Sequence, residues 1–296
     1  MHKYPSGGVS LVKLLFARYR PAMRTVIDTN ALQDDKLARY LARDHQNIAV
    51  IPDAVMMETF KKNALRSAEM ATATLRRYSR QTIILKRPDK ILRVNLRTSG
   101  LGRRMIDVKQ TTAFQSFSKF LTNAKLDGIE RKYLKNSQKE AETNMEFLLE
   151  NAKQFPHIFN MLTKLFTRDE LVELRDCSPR SISTQSKLMD LMFNQTRVTY
   201  QNGGVEERYW PKTFTEATNT FAFRYSLCVT LLFSHWVSEG KQMAKKPEKI
   251  VNDIVDVNIA AMATFFDGVL SNDARVLNLQ SEARYVLSQI GAYLTR

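Results

Sequence analysis

Four acidic residues stand at the ends of apolar segments of this 296-residue chain, in positions where a carboxylate can do chemistry. They are Asp28 in RTVIDTN, Glu58 in VIPDAVMMETF, Asp256 in VDVNIAAMATFF and Asp273 in GVLSND. A buried carboxylate costs free energy unless another group compensates its charge. If the fold brings the four acids together, we expect the compensating group to be Mg²⁺ or Mn²⁺, because these ions prefer oxygen ligands.

Two of the acids follow predicted strands. The β-branched residues 25–27 predict a strand that ends at Asp28, and residues 269–270 predict a short strand that places Asp273 just past its end. Open α/β sheets bind their ligands outside the carboxyl ends of their strands. We therefore expect Asp28 and Asp273 to lie at the ligand-binding edge of a sheet.

The other two acids belong to predicted helices. The apolar run 48–51 predicts a second strand, and Pro52 suits the first turn of a helix that carries Glu58. Apolar residues recur with helical spacing around Asp253 and Asp256, which places these two acids on one helix face. Asp253 is therefore an auxiliary ligand or a substitute for Asp256.

These elements together resemble the PIN-domain family in the order of their motifs, over about residues 22–95 and 215–290. The motifs are Asp28-Thr29-Asn30, Glu58, the Asp256–Ala263 segment DVNIAAMA, and Ser271-Asn272-Asp273. The resemblance implies an α/β fold with a three-layer α/β/α core and a short parallel sheet. It also implies Mg²⁺- or Mn²⁺-dependent hydrolysis of phosphodiester bonds, most often of RNA. The four acids would be the catalytic metal ligands, and Asn30 and Ser271 would orient them.

The stretch between Glu58 and Asp256 is far longer than compact members of that family need. We interpret the excess as an insertion, because its helix-period apolar stripes are punctuated by turn residues. The predicted organisation is a discontinuous nuclease core, residues 1–99 and 213–296, split by a helical insertion, 100–212, that selects substrate or binds a partner. Within the insertion, an alternative is that Asn202-Gly203 forms the turn of a hairpin that pairs RVTYQ with VEERYW.

The charge of the chain predicts a polyanionic partner. It has 45 Lys and Arg against 30 Asp and Glu, a formal net charge of +15, which favours sequence-independent binding to phosphate backbones. The predicted nucleic-acid-binding residues are Lys61, Lys62, Arg66, Arg76, Arg77, Arg80, Lys245 and Lys246. The first group follows Glu58 directly, so we expect it to begin near the acids. Tyr209 and Trp210 are either a packed loop anchor or a surface on which bases stack.

Several other classes of protein are disfavoured. The four histidines show no paired ligand spacing, which argues against zinc and against a histidine general base. Two cysteines in dissimilar contexts predict neither a disulfide framework nor a zinc site, and they fit a reducing cytoplasm. We find no targeting or membrane segment, and we interpret the apolar stretch 220–237 as a buried helix.

The sequence therefore predicts a cytoplasmic, metal-dependent endoribonuclease. The family resemblance suggests a prokaryotic toxin or defence effector, restrained by an antitoxin or another partner protein, and leaves homo-oligomerisation open. Two alternatives remain: a structure-specific DNA nuclease and a non-catalytic RNA-binding scaffold. Three of the acids also have a purely structural alternative, since Asp28 and Asp273 could be helix N-caps and Glu58 could pair with Lys61 and Lys62.

Overall fold

A short parallel sheet organises the fold. The computed structural model describes residues 23–60, 72–94, 100–123, 129–176, 180–240 and 246–295. Within them the strands are β1 (Arg24–Ile27), β2 (Ile48–Ile51), β3 (Thr82–Ile84) and β4 (Gly268–Leu270). Their order is β3-β2-β1-β4, and every neighbouring pair is parallel. The prediction of an α/β fold with a short parallel sheet is confirmed.

β1 is an inner strand that pairs with β2, from the first part of the chain, and with β4, from the last part. Thr25 pairs with Ala49 of β2 on one side and with Gly268 of β4 on the other. Val26 and Ile27 are fully buried, as expected for a strand covered on both faces of a parallel sheet. The carboxyl ends of β1, β2 and β4 therefore meet at one edge, which we call the carboxyl edge.

Helices make up most of the rest of the chain. Those around the first strands are α1 (Asp35–Arg43), α2 (Asp53–Phe60), α3 (Pro88–Leu92) and α4 (Leu101–Arg104). The predicted insertion contains α5 (Val108–Asn123), α6 (Ile129–Ala152), α7 (Phe155–Thr163), α8 (Arg168–Arg175) and α9 (Ile182–Asn202). The remainder are α10 (Phe214–Thr218), α11 (Phe221–Ser238), α12 (Pro247–Ala263) and α13 (Ala274–Gln289). Residues 72–77 are also helical, and 3₁₀ turns cover Thr29–Ala31, Ser79–Gln81 and Glu207–Tyr209.

α11 is the predicted buried helix. The Thr220 side chain caps its first turn by accepting from the Phe223 N–H, which satisfies an N–H that the helix itself cannot bond. Nearly all of the helix surface is buried, including Phe223 and Cys228. Among the described residues, no helix is both long enough and apolar enough to cross a membrane.

The predicted insertion shares one hydrophobic core with the rest of the chain. α9 packs along α11, while α6 packs against α2 and α12. Phe159 of α7 contacts Phe233 and Trp236 of α11, with ring centroids 5.6 and 5.8 Å apart. The helical content of the predicted insertion agrees with the prediction, although these contacts pack the insertion against α2, α11 and α12.

The hairpin alternative within the insertion is wrong. RVTYQ forms the last turns of α9, where Thr196 and Tyr200 continue the buried face that Leu188 and Met192 begin. This face runs with the helical period, so its burial favours helix over strand. Gly203 ends the helix, and its N–H donates to the Thr199 carbonyl.

Candidate active site

Asp28 is held firmly at the carboxyl edge. It follows β1, its N–H donates to the Leu270 carbonyl at 3.0 Å, and only 5% of its surface is exposed. Its Oδ1 accepts from the Thr29 N–H at 2.6 Å and its Oδ2 accepts from the Ser271 hydroxyl at 2.5 Å. Each oxygen therefore has one donor, which fixes the orientation of the carboxylate.

Asn30 and Ser271 connect the β1 and β4 ends around that carboxylate. The Ser271 hydroxyl oxygen lies 3.4 Å from the Asn30 Nδ2, and the Asn30 Oδ1 accepts from the Asn272 N–H at 2.8 Å. The Asp273 N–H also donates to the Ser271 Oγ at 2.9 Å. The two residues expected to orient Asp28 thus lie beside it, in one hydrogen-bond network that includes Asp273.

Glu58 joins this network through Thr29, a residue for which the sequence predicted no role of its own. The Thr29 hydroxyl donates to the Glu58 Oε2, while the Thr29 N–H contacts Asp28. Thr29 therefore ties the helical acid of α2 to the acid at the end of β1. The signal was present in the sequence, since Thr29 directly follows Asp28 and carries a hydroxyl that can donate to a carboxylate.

Asp256 lies close enough to the other acids for their charges to interact. Burial, then the negative charges of Asp273, Asp28 and Asp253, raises the pKa of Asp256 to about 7. Burial also raises the pKa of Asp28. Hydrogen bonds from Ser271 and Thr29 oppose this increase, and the negative charge of Asp273 adds to it. The carboxyl edge therefore accumulates negative charge that these hydrogen bonds only partly offset.

Asp253 differs from Asp256 because it has a cationic partner. Its Oδ1 forms an ion pair with Arg275 of α13. Burial still raises the pKa of Asp253, against the opposing effect of Arg275. The two acids that the helical spacing left as alternatives therefore differ: Asp253 binds Arg275, whereas the charges of three other acids add to the raised pKa of Asp256.

Asp28 and Asp273 also act as caps, which is the structural alternative for both residues. Asp28 caps the 3₁₀ turn Thr29–Ala31, and the Asp273 Oδ1 accepts from the Arg275 N–H at 2.7 Å at the start of α13. A carboxylate has about four lone-pair sites, so these hydrogen bonds leave acceptor capacity on both groups. Capping and metal binding are therefore compatible at these positions.

The donor chemistry of the carboxyl edge fits Mg²⁺ or Mn²⁺. In the part of the chain that the structure describes, no three His, Cys, Asp or Glu side chains are already gathered as a metal-binding group. Mg²⁺ does not require such a cage, because it usually keeps several waters and binds through one or two carboxylates plus substrate phosphate. Asp28, Asp256 and Asp273 offer only oxygen donors, and their mutual repulsion favours a cation.

Asp53 is a further acid at the carboxyl edge. It begins α2 directly after β2, where the sequence indicates no more than a helix-start residue. Burial raises the pKa of Asp53 to about 6, with Arg87 opposing and the charges of Asp89, Glu140 and Asp107 adding. Its position next to Pro52 gave no indication of these neighbours, because they come from other parts of the chain.

Three residues of the predicted nucleic-acid surface lie at the end of the sheet opposite the acids. Arg76, Arg77 and Arg80 precede β3, so they are at the amino end of a strand whose carboxyl end shares the edge of Asp28. The expectation that this basic group begins near the acids concerns Lys61 and Lys62, and it stays a prediction. Lys246 is exposed just before α12. Lys61, Lys62, Arg66 and Lys245 lie outside the described residues.

The two loop aromatics have separate roles. Trp210 stacks on Tyr200 with ring centroids 5.7 Å apart, and its Nε1 donates to the Val205 carbonyl at 2.8 Å. Tyr209 is 58% exposed and lines a cavity of about 480 Å³ together with Arg93. Trp210 is therefore the packed anchor, although it also lines this cavity, whereas Tyr209 is exposed and its ring packs against Arg208, whose Cζ lies 4.8 Å from the ring centre.

Comparison with known proteins finds no relative of this chain. No protein-family model matches it, and no curated protein or solved structure matches it either. The PIN-domain resemblance thus remains a likeness of motifs, and any function must be inferred from the chemistry of the residues themselves.

Proposed function

We propose that this chain is a metal-dependent endoribonuclease that hydrolyses RNA phosphodiester bonds at the carboxyl edge. The supporting observation is that burial first, and then the negative charges of Asp273 and Asp28, raise the pKa of Asp256 to about 7 at this edge. Carboxylates placed so that they repel one another are costly unless a cation offsets the charge. The cation we propose is Mg²⁺ or Mn²⁺, in accord with the oxygen donors.

The residues of this edge have distinct roles in the proposal. A bound Mg²⁺ or Mn²⁺ would supply Lewis-acid chemistry, which activates water and stabilises charge on a phosphate. Asp28 and Asp273 would hold the cation from the two strand ends, and the ionised form of Asp256 would be a third oxygen ligand. Ser271 keeps Asp28 oriented, and Thr29 keeps Glu58 directed toward the same edge. Asp253 supports the edge through Arg275 and is not a ligand.

A paired substitution tests this assignment. Asp256→Asn should lower the cleavage rate by about a hundredfold or more, since even removing an outer partner of a metal ligand costs about 10–100-fold. Asp253→Asn should lower it less than about tenfold, because Asp253 pairs with Arg275 and is not a ligand in this proposal. The measurement is cleavage of a labelled single-stranded RNA with Mg²⁺, with Mn²⁺ and with EDTA.

The same assay decides between the proposal and its alternatives. Cleavage that persists in EDTA, or that survives Asp256→Asn unchanged, contradicts the metal mechanism. A matched DNA strand distinguishes an RNA-specific site, which contacts the 2′-hydroxyl, from a DNA nuclease. If Mg²⁺ and Mn²⁺ titrations detect no binding that depends on Asp256, the chain is an RNA-binding scaffold. A toxin or defence role and a partner protein that restrains it are further parts of the proposal.

Cleavage should also depend on pH in a defined direction. Asp256 holds a proton below its pKa of about 7, and only the ionised form binds a cation, so at low Mg²⁺ the rate should rise as the pH increases through about 7. Because metal and proton compete for the group, more Mg²⁺ should move the midpoint to lower pH. Rates measured against pH at several Mg²⁺ concentrations test this.

Asp253→Asn provides the control for that titration. Its negative charge is one of the causes of the raised pKa of Asp256, so its removal should move the midpoint of the rate profile to lower pH. A wild-type rate that stays flat across about pH 6–8 at low Mg²⁺ would show that no group of this kind limits activity.

A further inference from the structure

A second concave site lies toward the opposite end of β1 from the carboxyl edge. It is a cavity of about 310 Å³, a size in the lower range of small-ligand pockets. Its lining includes Arg24, Arg103, Arg224, Asn219, Phe265 and Tyr293. Arg24 begins β1 and Phe265 precedes β4, so the cavity is separated from Asp28 by the length of the strand. No Asp or Glu is among its described lining residues.

Arg224 places a positive charge in the wall of this cavity. It belongs to α11 and is 1% exposed. Its guanidinium donates to the carbonyls of Thr218, Thr264 and Tyr293 and to the Asn219 Oδ1, all of them neutral acceptors. Its Cζ lies 3.9 Å from the centre of the Phe265 ring.

The charge of Arg224 has no described anionic partner. Burial, with the charge of Arg284 adding, lowers the pKa of Arg224 to about 9, so the group is still protonated at neutral pH. No carboxylate among the described residues lies within ion-pair distance of it. Carbonyl dipoles and an aromatic face solvate a cation without neutralising it, so this wall of the cavity favours an anion.

Arg24 and Arg103 add two guanidinium groups that can bind a ligand directly. Among the described residues, neither side chain has a hydrogen-bond or ion-pair partner; the contact between Arg24 and Asp267 uses only the Arg24 backbone N–H. A guanidinium presents two parallel N–H donors that match a phosphate group. Arg224 has its donors occupied, so its contribution is the electrostatic field.

We propose that this cavity binds the phosphate group of a small phosphorylated ligand. Three arginines and no acid are among the described residues that line the cavity, which matches the charge of a phosphate monoester dianion. The organic part of the ligand has two apolar contacts, the Phe265 ring and the Tyr293 side chain, which is 60% exposed. This site requires none of the carboxyl-edge residues, and its ligand is bound without being cleaved.

Calorimetric titration of the full chain in EDTA tests the site, with inorganic phosphate and adenosine monophosphate as probes. The wild type should bind both probes saturably. Arg24→Gln with Arg103→Gln should weaken binding by about tenfold for each arginine removed, the usual effect of one charged hydrogen bond. Arg175→Gln, on the exposed surface of α8, removes the same charge elsewhere and should leave binding unchanged.

The outcomes identify the source of the phosphate. Loss of adenosine monophosphate binding in the double variant assigns the site to a free phosphate monoester. A short non-cleavable oligonucleotide is titrated as a third probe. If it is the only probe that loses affinity in the double variant, the site holds a phosphate of a nucleic-acid backbone. Equal binding of every probe by the wild type, the double variant and Arg175→Gln overturns the proposal. Asp28→Asn should bind the probes normally, so this result is independent of whether the chain cleaves RNA.

Discussion

Asp28→Asn should lower RNA cleavage by about a thousandfold or more, because metal-assisted charge stabilisation contributes several kcal/mol and each 1.4 kcal/mol changes a rate tenfold. The substitution removes the one negative charge at the end of β1 and keeps the size of the side chain. It should therefore affect the chemistry far more than the fold. Initial rates on a labelled RNA, with the new ends mapped by sequencing, provide the measurement.

The hydrogen bonds around position 28 can adjust to an amide. The Asn oxygen can still accept from the Thr29 N–H, and its Nδ2 can donate to the Ser271 oxygen. The Ser271 hydroxyl can then donate to the Asn30 Oδ1, which lies 3.5 Å away. We therefore expect a melting temperature close to that of the wild type, so that lost cleavage cannot be attributed to unfolding.

Asp190→Asn is the matched control for Asp28→Asn. Asp190 is exposed on α9, so this variant loses the same charge far from the carboxyl edge and should cleave RNA at the wild-type rate. If Asp28→Asn produces the same RNA ends as the wild type at a similar rate, the observed nuclease is a contaminant or uses another site. Whichever of these two explanations holds, that outcome would remove the main support for the proposed function.

Arg224→Met should have the largest effect on stability, about 3–5 kcal/mol of the free energy of unfolding, as expected when buried polar groups lose their partner. The substitution leaves the carbonyls of Thr218, Thr264 and Tyr293 without their donor. These carbonyls belong to three separate segments that this guanidinium joins. Urea denaturation of the full chain measures the change.

Two variants show whether hydrogen bonding or charge carries the effect of Arg224. Arg224→Lys keeps the charge but has one nitrogen in place of three, so it should be destabilised by an intermediate amount. Arg175→Met, on the exposed surface of α8, should stay within about 0.5 kcal/mol of the wild type. An Arg224→Met variant as stable as the wild type would mean that its acceptors find water instead.

The strands were predictable because their signals are local. Residues 25–27 and 48–51 are β-branched or apolar and end at an acid or a proline, which is enough to place Asp28 at a strand end. The partners of the acids were not predictable in this way. The contact of Asp253 with Arg275 and the contact of Thr29 with Glu58 depend on how helices cross the sheet, and single-sequence patterns carry no information on that.

The position of the basic residues that precede β3 has a topological cause. We expected the basic group that contains Arg76, Arg77 and Arg80 to begin near the acids, because it follows Glu58 in sequence. In a parallel sheet, however, each connection returns the chain to the amino end of the next strand. Residues that directly precede β3 must therefore lie opposite the carboxyl edge, as Arg80 does. For Arg224, in contrast, the apolar helix around it correctly predicted burial. The helix sequence could not show which distant carbonyls, those of residues 264 and 293, accept its hydrogen bonds.

The hydrogen bond between Ser271 and Asp28 spans 243 positions of the sequence. During synthesis β1 and β2 emerge early, whereas β4 and the cap of α13 emerge only after residue 268 has been added. Contacts between such distant segments form slowly, because a long loop must close first. A nascent chain that has already formed β1, β2 and β3 therefore still lacks half of the carboxyl edge. The four acids can come together only after translation has passed residue 273, so a chain still shorter than that cannot hold the complete candidate site.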